Sequence, residues 1–499
     1  MTRRTAGSAR TQIGPKRSPW TLGIDLGTSS AKAVVFDARG VPIPELRVQI
    51  GYAPRTDASG ASEFDADDLV AYVARAIDAV LNRAGADRRR IEAVGCCSFW
   101  HSMVGIDARG APIGPVYTWA DTRPGAVVET LRGRTDERAL RARTGCPLHS
   151  SYFPARLAWL RATRPIEYER AARWLAPAEY LYLRLFGEPC PSISMASATG
   201  LFDQARRDWD DEALDLARIP RSALPTLDPD DPPARGLSPD WARRWPELAG
   251  AVWARPIGDG AAGNVGSMCL APQRAALNLG TSGAIRVGAP EERAADIDGL
   301  WRYRIDRSRI LVGGAFSDGG NALDWCDQVL AAPAQDRPRR DAHGLTVLPF
   351  LGGERSVGWR PWASATVHGL RLQTTASDLR HAFREAVALR FALVFRRLQS
   401  AYPGLSEIVL SGGVPARSPD WGQLLADALG VCVRASAEPE TSCRGAALVA
   451  ARHAGLIRTE EEGADLVGEG SRPDPDGHAA LQAALVRQEE LYARMEAPL

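Results

Sequence analysis

Lysine is nearly missing from this sequence: Lys16 and Lys32 are the only two among 61 basic residues. Acidic residues number 60, so the net charge is +1. With no excess of one sign, the chain lacks the field that would draw it to nucleic acid or to an anionic membrane. No apolar run reaches the roughly 18 residues of a spanning helix. The first 18 residues are basic and polar without an apolar core, which excludes a secretory signal. A disordered tail, an expression tag and a mis-set start codon all fit them. The eight cysteines form no C-x-x-C pair. Their scatter does not resemble a disulfide framework or a zinc site, and free thiols point to a cytoplasmic protein. The sequence also lacks G-x-x-x-x-G-K-[ST], so it carries no P-loop.

What is present begins with size. A chain of 499 residues exceeds one hydrophobic core, so two or three domains are expected. Short apolar runs at Thr21–Ile24, Ala31–Phe36 and Pro44–Ile50, separated by tight turns, predict an antiparallel meander. A helix follows over 65–83, with Leu69, Tyr72, Val73, Ile77 and Leu81 at helical spacing, and then a buried strand over 91–97. Strand–strand–strand–helix–strand is the opening of a ribonuclease-H-like unit, not of a dinucleotide fold. The opening recurs: Ile24-Asp-Leu-Gly-Thr-Ser-Ser-Ala is matched by Leu277-Asn-Leu-Gly-Thr-Ser-Gly-Ala. A repeat at that distance predicts an α/β protein with two ribonuclease-H-like (actin-like ATPase) domains flanking a catalytic cleft. The second copy continues with a strand at Ile310–Val312, a glycine-rich turn at Gly313-Gly314, a helix over 378–402 and a strand at Glu407–Leu410. Another helix is expected with Ser418 as N-cap and Pro419 at its first position. A linker over 468–477 then precedes a helix over 479–495. The expected division is a tail at 1–18, a substrate-side domain at 19–256, a nucleotide-side domain at 257–460, and a linker with a C-terminal helix at 461–499.

The chemistry concentrates in a few places. Glycine lets the backbone N–H groups approach phosphate, and neighbouring hydroxyls add donors. Gly27-Thr28-Ser29 and Gly280-Thr281-Ser282 both fit this need, although a single such turn is usually only a hairpin. Asp25 ends its strand where a carboxylate could hold Mg²⁺, or else bond its own turn. Its counterpart, Asn278, carries no charge. Lys32 could neutralise phosphate or simply be solvated. Phosphoryl transfer to an alcohol asks for a base near the hydroxyl. Asp259, in Gly258-Asp-Gly-Ala-Ala-Gly, is the candidate, with a helix N-cap as the alternative. His101, after the predicted strand, and Trp119, Asp121 and Arg123, whose alternation predicts one shared face of an extended segment, suit a hydroxyl-rich ligand. A core tryptophan and an Asp–Arg pair fixing a turn would explain the same residues.

Together these segments resemble the FGGY family of carbohydrate kinases, in order from about Leu22 to Gly455. Residues 24–33 resemble the family's first phosphate motif, including Lys32, and residues 277–284 its second. Ser411-Gly412-Gly413-Val-Pro-Ala-Arg417 resembles the adenosine motif. Gly258-Asp259-Gly resembles the segment carrying the catalytic aspartate. Within the family the chain is most similar to the gluconate kinases, through residues 118–123, 143–149, 194–202, 280–286 and 350–356. Trp100, Arg156 and Val357-Gly-Trp depart from the usual pattern. The resemblance implies ATP and Mg²⁺, a small sugar or sugar acid phosphorylated at a terminal hydroxyl with D-gluconate favoured, no membrane or nucleic-acid partner, and a homodimer as a family-level expectation. A same-family kinase for xylulose, ribulose or glycerol is one rival. A non-catalytic actin-like ATPase or sugar sensor is the other.

Overall fold

The computed structural model describes residues 18–330 and 339–495. Positions 1–17 of the expected tail, with Lys16, lie outside the described residues.

The opening strands are central, so both of their faces are apolar. β1 (Trp20–Leu26) and β2 (Ser30–Asp37) are almost wholly buried, whereas β3 (Pro42–Gly51) has exposed positions and lies at an edge. β1 pairs antiparallel with β2, and β2 with β3. α1 (Ala66–Ala84) starts where the Asp65 carboxylate accepts bonds from the N–H groups of Asp67 and Asp68 at 2.9 and 3.1 Å. It buries Leu69, Val73, Ile77 and Leu81. β4 (Ile91–Ser98) returns parallel to β1, and β5 (Val252–Trp253) and β6 (Ile257–Gly258) pair parallel with β4. Residues 99–251 add mostly helical structure to this first half.

After α2 (Asp259–Gly266) the pattern repeats. β7 (Arg274–Leu279), β8 (Gly283–Pro290), β9 (Trp301–Arg304), β10 (Arg309–Phe316), β11 (Glu407–Ser411), β12 (Cys432–Ser436) and β13 (Val467–Ser471) form a sheet in the order β9-β10-β8-β7-β11-β12-β13. β7 runs antiparallel to β8 and parallel to β11, as β1 does to β2 and β4. The helices are α3 (Gly320–Val329), α4 (Ala376–Ala401), α5 (Gly413–Arg417), α6 (Asp420–Leu429), α7 (Thr441–His453) and α8 (Pro475–Met495). A capping box between Thr375 and Asp378 starts α4, which buries Phe383, Val387, Phe391, Val394 and Leu398. The α/β class and the paired ribonuclease-H-like units are therefore those expected. No helix among the described residues is long and apolar enough to cross a membrane.

Three local expectations are corrected. Gly313-Gly314 is not a turn but lies inside β10, where Gly314 leaves room for Val394. Ser418 caps no helix with its side chain: it closes α5, and Pro419 stands at the N-cap of α6. The expected linker over 468–477 overlaps β13, which pairs with β12, and α8 begins at Pro475. Glycine and proline there suit an edge strand.

The two halves are locked by helices that touch backbone to backbone. A Cβ added to Gly445 of α7 would lie 1.8 Å from the Ala262 carbonyl oxygen of α2, and one on Gly266 of α2 would lie 1.8 Å from that of Thr441. α7 also lies on the first sheet, where a Cβ on Gly23 or Gly95 would fall 2.0 or 1.9 Å from the carbonyl oxygens of Cys443 and Ala446. Backbone cannot give way as a side-chain tip can. Gly445→Val should therefore destabilise the protein by about 1–3 kcal/mol or more and lower its melting temperature. Gly51→Ala, whose added carbon meets nothing within 4 Å, should leave it nearly unchanged. Equal melting of the two variants would contradict this packing.

Candidate functional site

β1 and β7 end at the same cleft because each is the central strand of its unit. The cleft has a volume of about 1030 Å³ and is lined by both Gly-Thr-Ser turns, by Asp25, Lys32 and Asp259, and by Gly412, Gly413 and Arg417. Sequence-distant residues predicted to handle phosphate are thus brought together. Among the described residues the hydroxyls of Thr28, Ser29, Thr281 and Ser282 bond to nothing else, which leaves them available as donors. Gly412 has φ +112°, and a Cβ there would lie 2.4 Å from the Leu279 carbonyl oxygen. Only glycine serves at that crossing of strand and turn.

Asp25 faces Lys32 across the β1–β2 ladder and accepts a weak bond from the Cys97 thiol at 3.5 Å. Burial pushes its pKa up to about 6, against the pull of Lys32 and with help from the charge of Asp259. Lys32 is not a solvated lysine. Its Nζ lies 2.6 Å from Glu440, at the N-cap of α7. Burial works against its charge, but Asp25 and Glu440 raise its pKa. Asn278, the neutral counterpart of Asp25, donates to Ser411 Oγ at 3.3 Å. The Asp/Asn difference thus leaves one end of the cleft anionic and the other neutral. Two neighbouring carboxylates that repel one another, one of them with a strongly raised pKa, fit a divalent cation held directly or through water.

Asp259 is not an N-cap: Gly258 holds that place, and Asp259 is the first residue of α2. Its Oδ1 accepts from the Gly260 N–H at 2.7 Å. The Trp100 ring presses on the flanking glycines, where a Cβ on Gly258 would lie 1.7 Å from Trp100 Cε2. Arg286 stands beside the aspartate. Burial raises the pKa of Asp259, while Arg286 and, less strongly, Arg355 oppose the rise.

The four predicted sugar readers separate. Trp119 lines the cleft. His101 is buried behind it, with Nδ1 2.6 Å from the Ala198 carbonyl oxygen and its ring edge-on to Tyr152 and Tyr303. Burial drives its pKa well down, so it is neutral and Nδ1–H is the donor. Residues 118–124 form turns, so the expected shared face of Trp119, Asp121 and Arg123 does not exist. Asp121 is fully buried and Arg123 grips its carboxylate, with Nε at 3.0 and 3.2 Å, while also reaching Glu63 at 2.6 Å. Neither residue lines the cleft. Alternation has meaning in a strand and none in a turn. Arg156 is likewise internal and bonds the carbonyl oxygens of His101, Thr118 and Ser150.

Several residues in or beside the cleft carried no signal that had been read as chemistry: Glu440, His149, Arg355, Ser317 and Asn321 line it, and Arg286 stands next to Asp259. His149 and Arg355 lay within segments noted only for their resemblance to a subgroup. Glu440 sits in an ordinary Glu-Pro-Glu run whose partner is 408 residues away.

Because Asp121 and Arg123 form a buried pair, Asp121→Asn should act on stability. Losing one member of a buried ion pair costs about 3–5 kcal/mol. The expected result is a marked fall in melting temperature with little change in KM for the sugar at a temperature where the variant is folded. A raised KM at unchanged stability would place the pair in substrate contact.

Residues 20–266 match the N-terminal domain, and residues 275–454 the C-terminal domain, of the FGGY family of carbohydrate kinases. The chain is 28% identical over 479 residues to the gluconokinase of Bacillus subtilis (strain 168), covering 91% of this chain and 92% of that one. It is 28% identical over 426 residues to the xylulose kinase of Klebsiella pneumoniae, covering 82% and 85%. The crystal structure of gluconate kinase from Lactobacillus acidophilus superposes with a TM-score of 0.88 at 23% identity, covering 96% and 99%.

Proposed function

The chain belongs to the FGGY family of carbohydrate kinases, and from that premise we propose that it phosphorylates D-gluconate at its terminal hydroxyl with ATP, giving 6-phosphogluconate. The observation that carries the reaction is Asp259, set at the start of α2 in a cleft that has a Gly-Thr-Ser turn on each wall. The match to gluconokinase over nine-tenths of both chains supports the substrate. Eight free cysteines suit a cytoplasmic setting.

In this reading Asp259 orients the terminal hydroxyl of the substrate and takes its proton. The oxygen then attacks the γ-phosphorus in line, the bond to the β–γ bridging oxygen breaks, and ADP leaves with that oxygen. Thr28, Ser29, Thr281 and Ser282 donate to phosphate oxygens. Lys32 adds a fixed positive charge beside them, and Gly412, Gly413 and Arg417 border the adenosine. Asp25 would hold Mg²⁺, which when bound neutralises charge on the phosphates. Trp100 and Arg286 keep Asp259 in place. Binding across the cleft allows the halves to close and exclude water, which limits hydrolysis of ATP.

Asp259→Asn keeps the shape and removes the base. Turnover should fall by ~10²–10⁴-fold, with ATP binding measured by calorimetry unchanged. Near-normal turnover would remove Asp259 from this role. A panel of gluconate, D-xylulose, L-ribulose and glycerol with Mg·ATP should give the highest kcat/KM for gluconate. A ketopentose or glycerol in first place would move the substrate within the family. No sugar-dependent ADP release at all would favour a non-catalytic ATPase.

A further inference from the structure

The cleft holds a buried guanidinium that makes no ion pair among the described residues, although its field reaches the carboxylate of Asp259. Arg355 lines the cleft and is only 8% exposed. Among the described residues no carboxylate lies within ion-pair distance of its guanidinium, and its Nε has no hydrogen-bond partner. The buried Arg156 and Arg390 also leave Nε unpartnered, but in each the guanidinium is engaged elsewhere. Arg390 pairs with Glu354 at 2.7 Å, and Arg156 bonds three carbonyl oxygens. Arg355 instead lies over the faces of Trp119 and Trp359, at 5.2 and 5.9 Å from the ring centroids. Ring faces hold a guanidinium in orientation but do not replace an anion. Burying an uncompensated charge is costly, so the site is arranged for a partner that the chain itself does not supply.

A second group points the same way. His149 lines the same cleft, is 5% exposed, and packs edge-on against Trp359 at 5.4 Å. Its Nδ1 accepts from the Ser151 backbone N–H at 3.2 Å, which puts the ring proton on Nε2. Nε2 is buried and bonds to nothing. Burial and the nearby Arg355 hold its pKa down to about 3, so this donor persists as a neutral N–H.

We propose that Arg355 and His149 form a carboxylate subsite that receives the acid group of a sugar-acid substrate while Asp259 receives its terminal hydroxyl. The proposal rests on the kinase reading above and sharpens it. The subsite selects polyhydroxy acids over ketopentoses and glycerol because only an acid supplies the missing counterion. A neutral polyol would leave the guanidinium unpaired on binding, and that penalty is the specificity.

The test compares gluconate with glucitol, the neutral polyol of the same carbon chain. Wild-type protein should bind and phosphorylate gluconate far better than glucitol. Arg355→Ala should raise KM for gluconate roughly 100-fold, in keeping with truncation of one member of a buried charge pair. It should leave the KM for ATP close to wild type, and gluconate should lose its advantage over glucitol in calorimetric titration without nucleotide. Arg355→Lys, which keeps the charge and guards against a folding failure, should recover part of the gluconate affinity. His149→Phe, which keeps the ring and loses the donor, should raise KM for gluconate about 10-fold. If wild type phosphorylates D-xylulose or glycerol and binds no sugar acid, the gluconate reading and the subsite fall together. If wild type phosphorylates gluconate but both Arg355 variants keep its preference over glucitol, or lose both ligands equally, the subsite alone falls.

Discussion

The backbone contact between α2 and α7 is the constraint on which the site depends. Two helices can approach this closely only if glycines face carbonyl oxygens, as Gly266 and Gly445 do. The same α7 lies on β1 and β4 through Gly23 and Gly95. Four chain ends are thereby fixed in one small volume: Asp25 near the end of β1, Ser98 at the end of β4, Asp259 at the start of α2, and Glu440 at the N-cap of α7. None of these groups is held by its own side-chain packing alone. Asp259 faces the cleft because α2 has one seat, and Glu440 meets Lys32 because α7 does. A site built on helix and strand ends keeps its geometry better than one built on free loops.

Charge is distributed along the cleft with the same economy. At the nucleotide end Lys32 lies between Asp25 and Glu440, so one ammonium joins strands of the first half to a helix that arrives late in the sequence. In the second half the equivalent of Asp25 is Asn278, already occupied with Ser411. Two carboxylates at equivalent places would have faced one phosphate chain from both walls. With Asn278 that position of the second wall is neutral. The repeated unit therefore gives the grip, and the Asp25/Asn278 difference gives the polarity.

Much of this was legible in the sequence where the signal was local or repeated. The meander, α1 and α4 followed from apolar spacing, and the pairing of 24–31 with 277–284 gave the two-unit fold. Asp25, Asp259 and both Gly-Thr-Ser turns arrived at the cleft as read. The failures share a physical cause. Asp121 and Arg123 were read as a strand face because alternation was assumed to imply extension, and the backbone turned instead. Ser418-Pro419 does precede a helix, α6, but Pro419 rather than Ser418 takes its N-cap, because Ser418 closes the short α5. Glu440, Arg286, His149 and Arg355 owe their importance to partners, or to the lack of partners, that are set by tertiary packing. A buried arginine without a carboxylate looks like any other arginine in a chain with so many.

The two ends of the cleft also differ in how they respond to protons. Below about pH 6 Asp25 gains a proton and loses its negative charge, and the raised pKa of Asp259 moves its loss of charge in the same direction. The buried histidines His101 and His149 behave differently. Burial, aided by Arg355, keeps His101 and His149 neutral well below the ordinary imidazole range, so their N–H donors do not change as the medium acidifies. Acid therefore discharges Asp25 and Asp259 before it alters His101 and His149. The arrangement follows from one physical fact: burial penalises charge of either sign. It raises the pKa values of Asp25 and Asp259 and lowers those of His101 and His149.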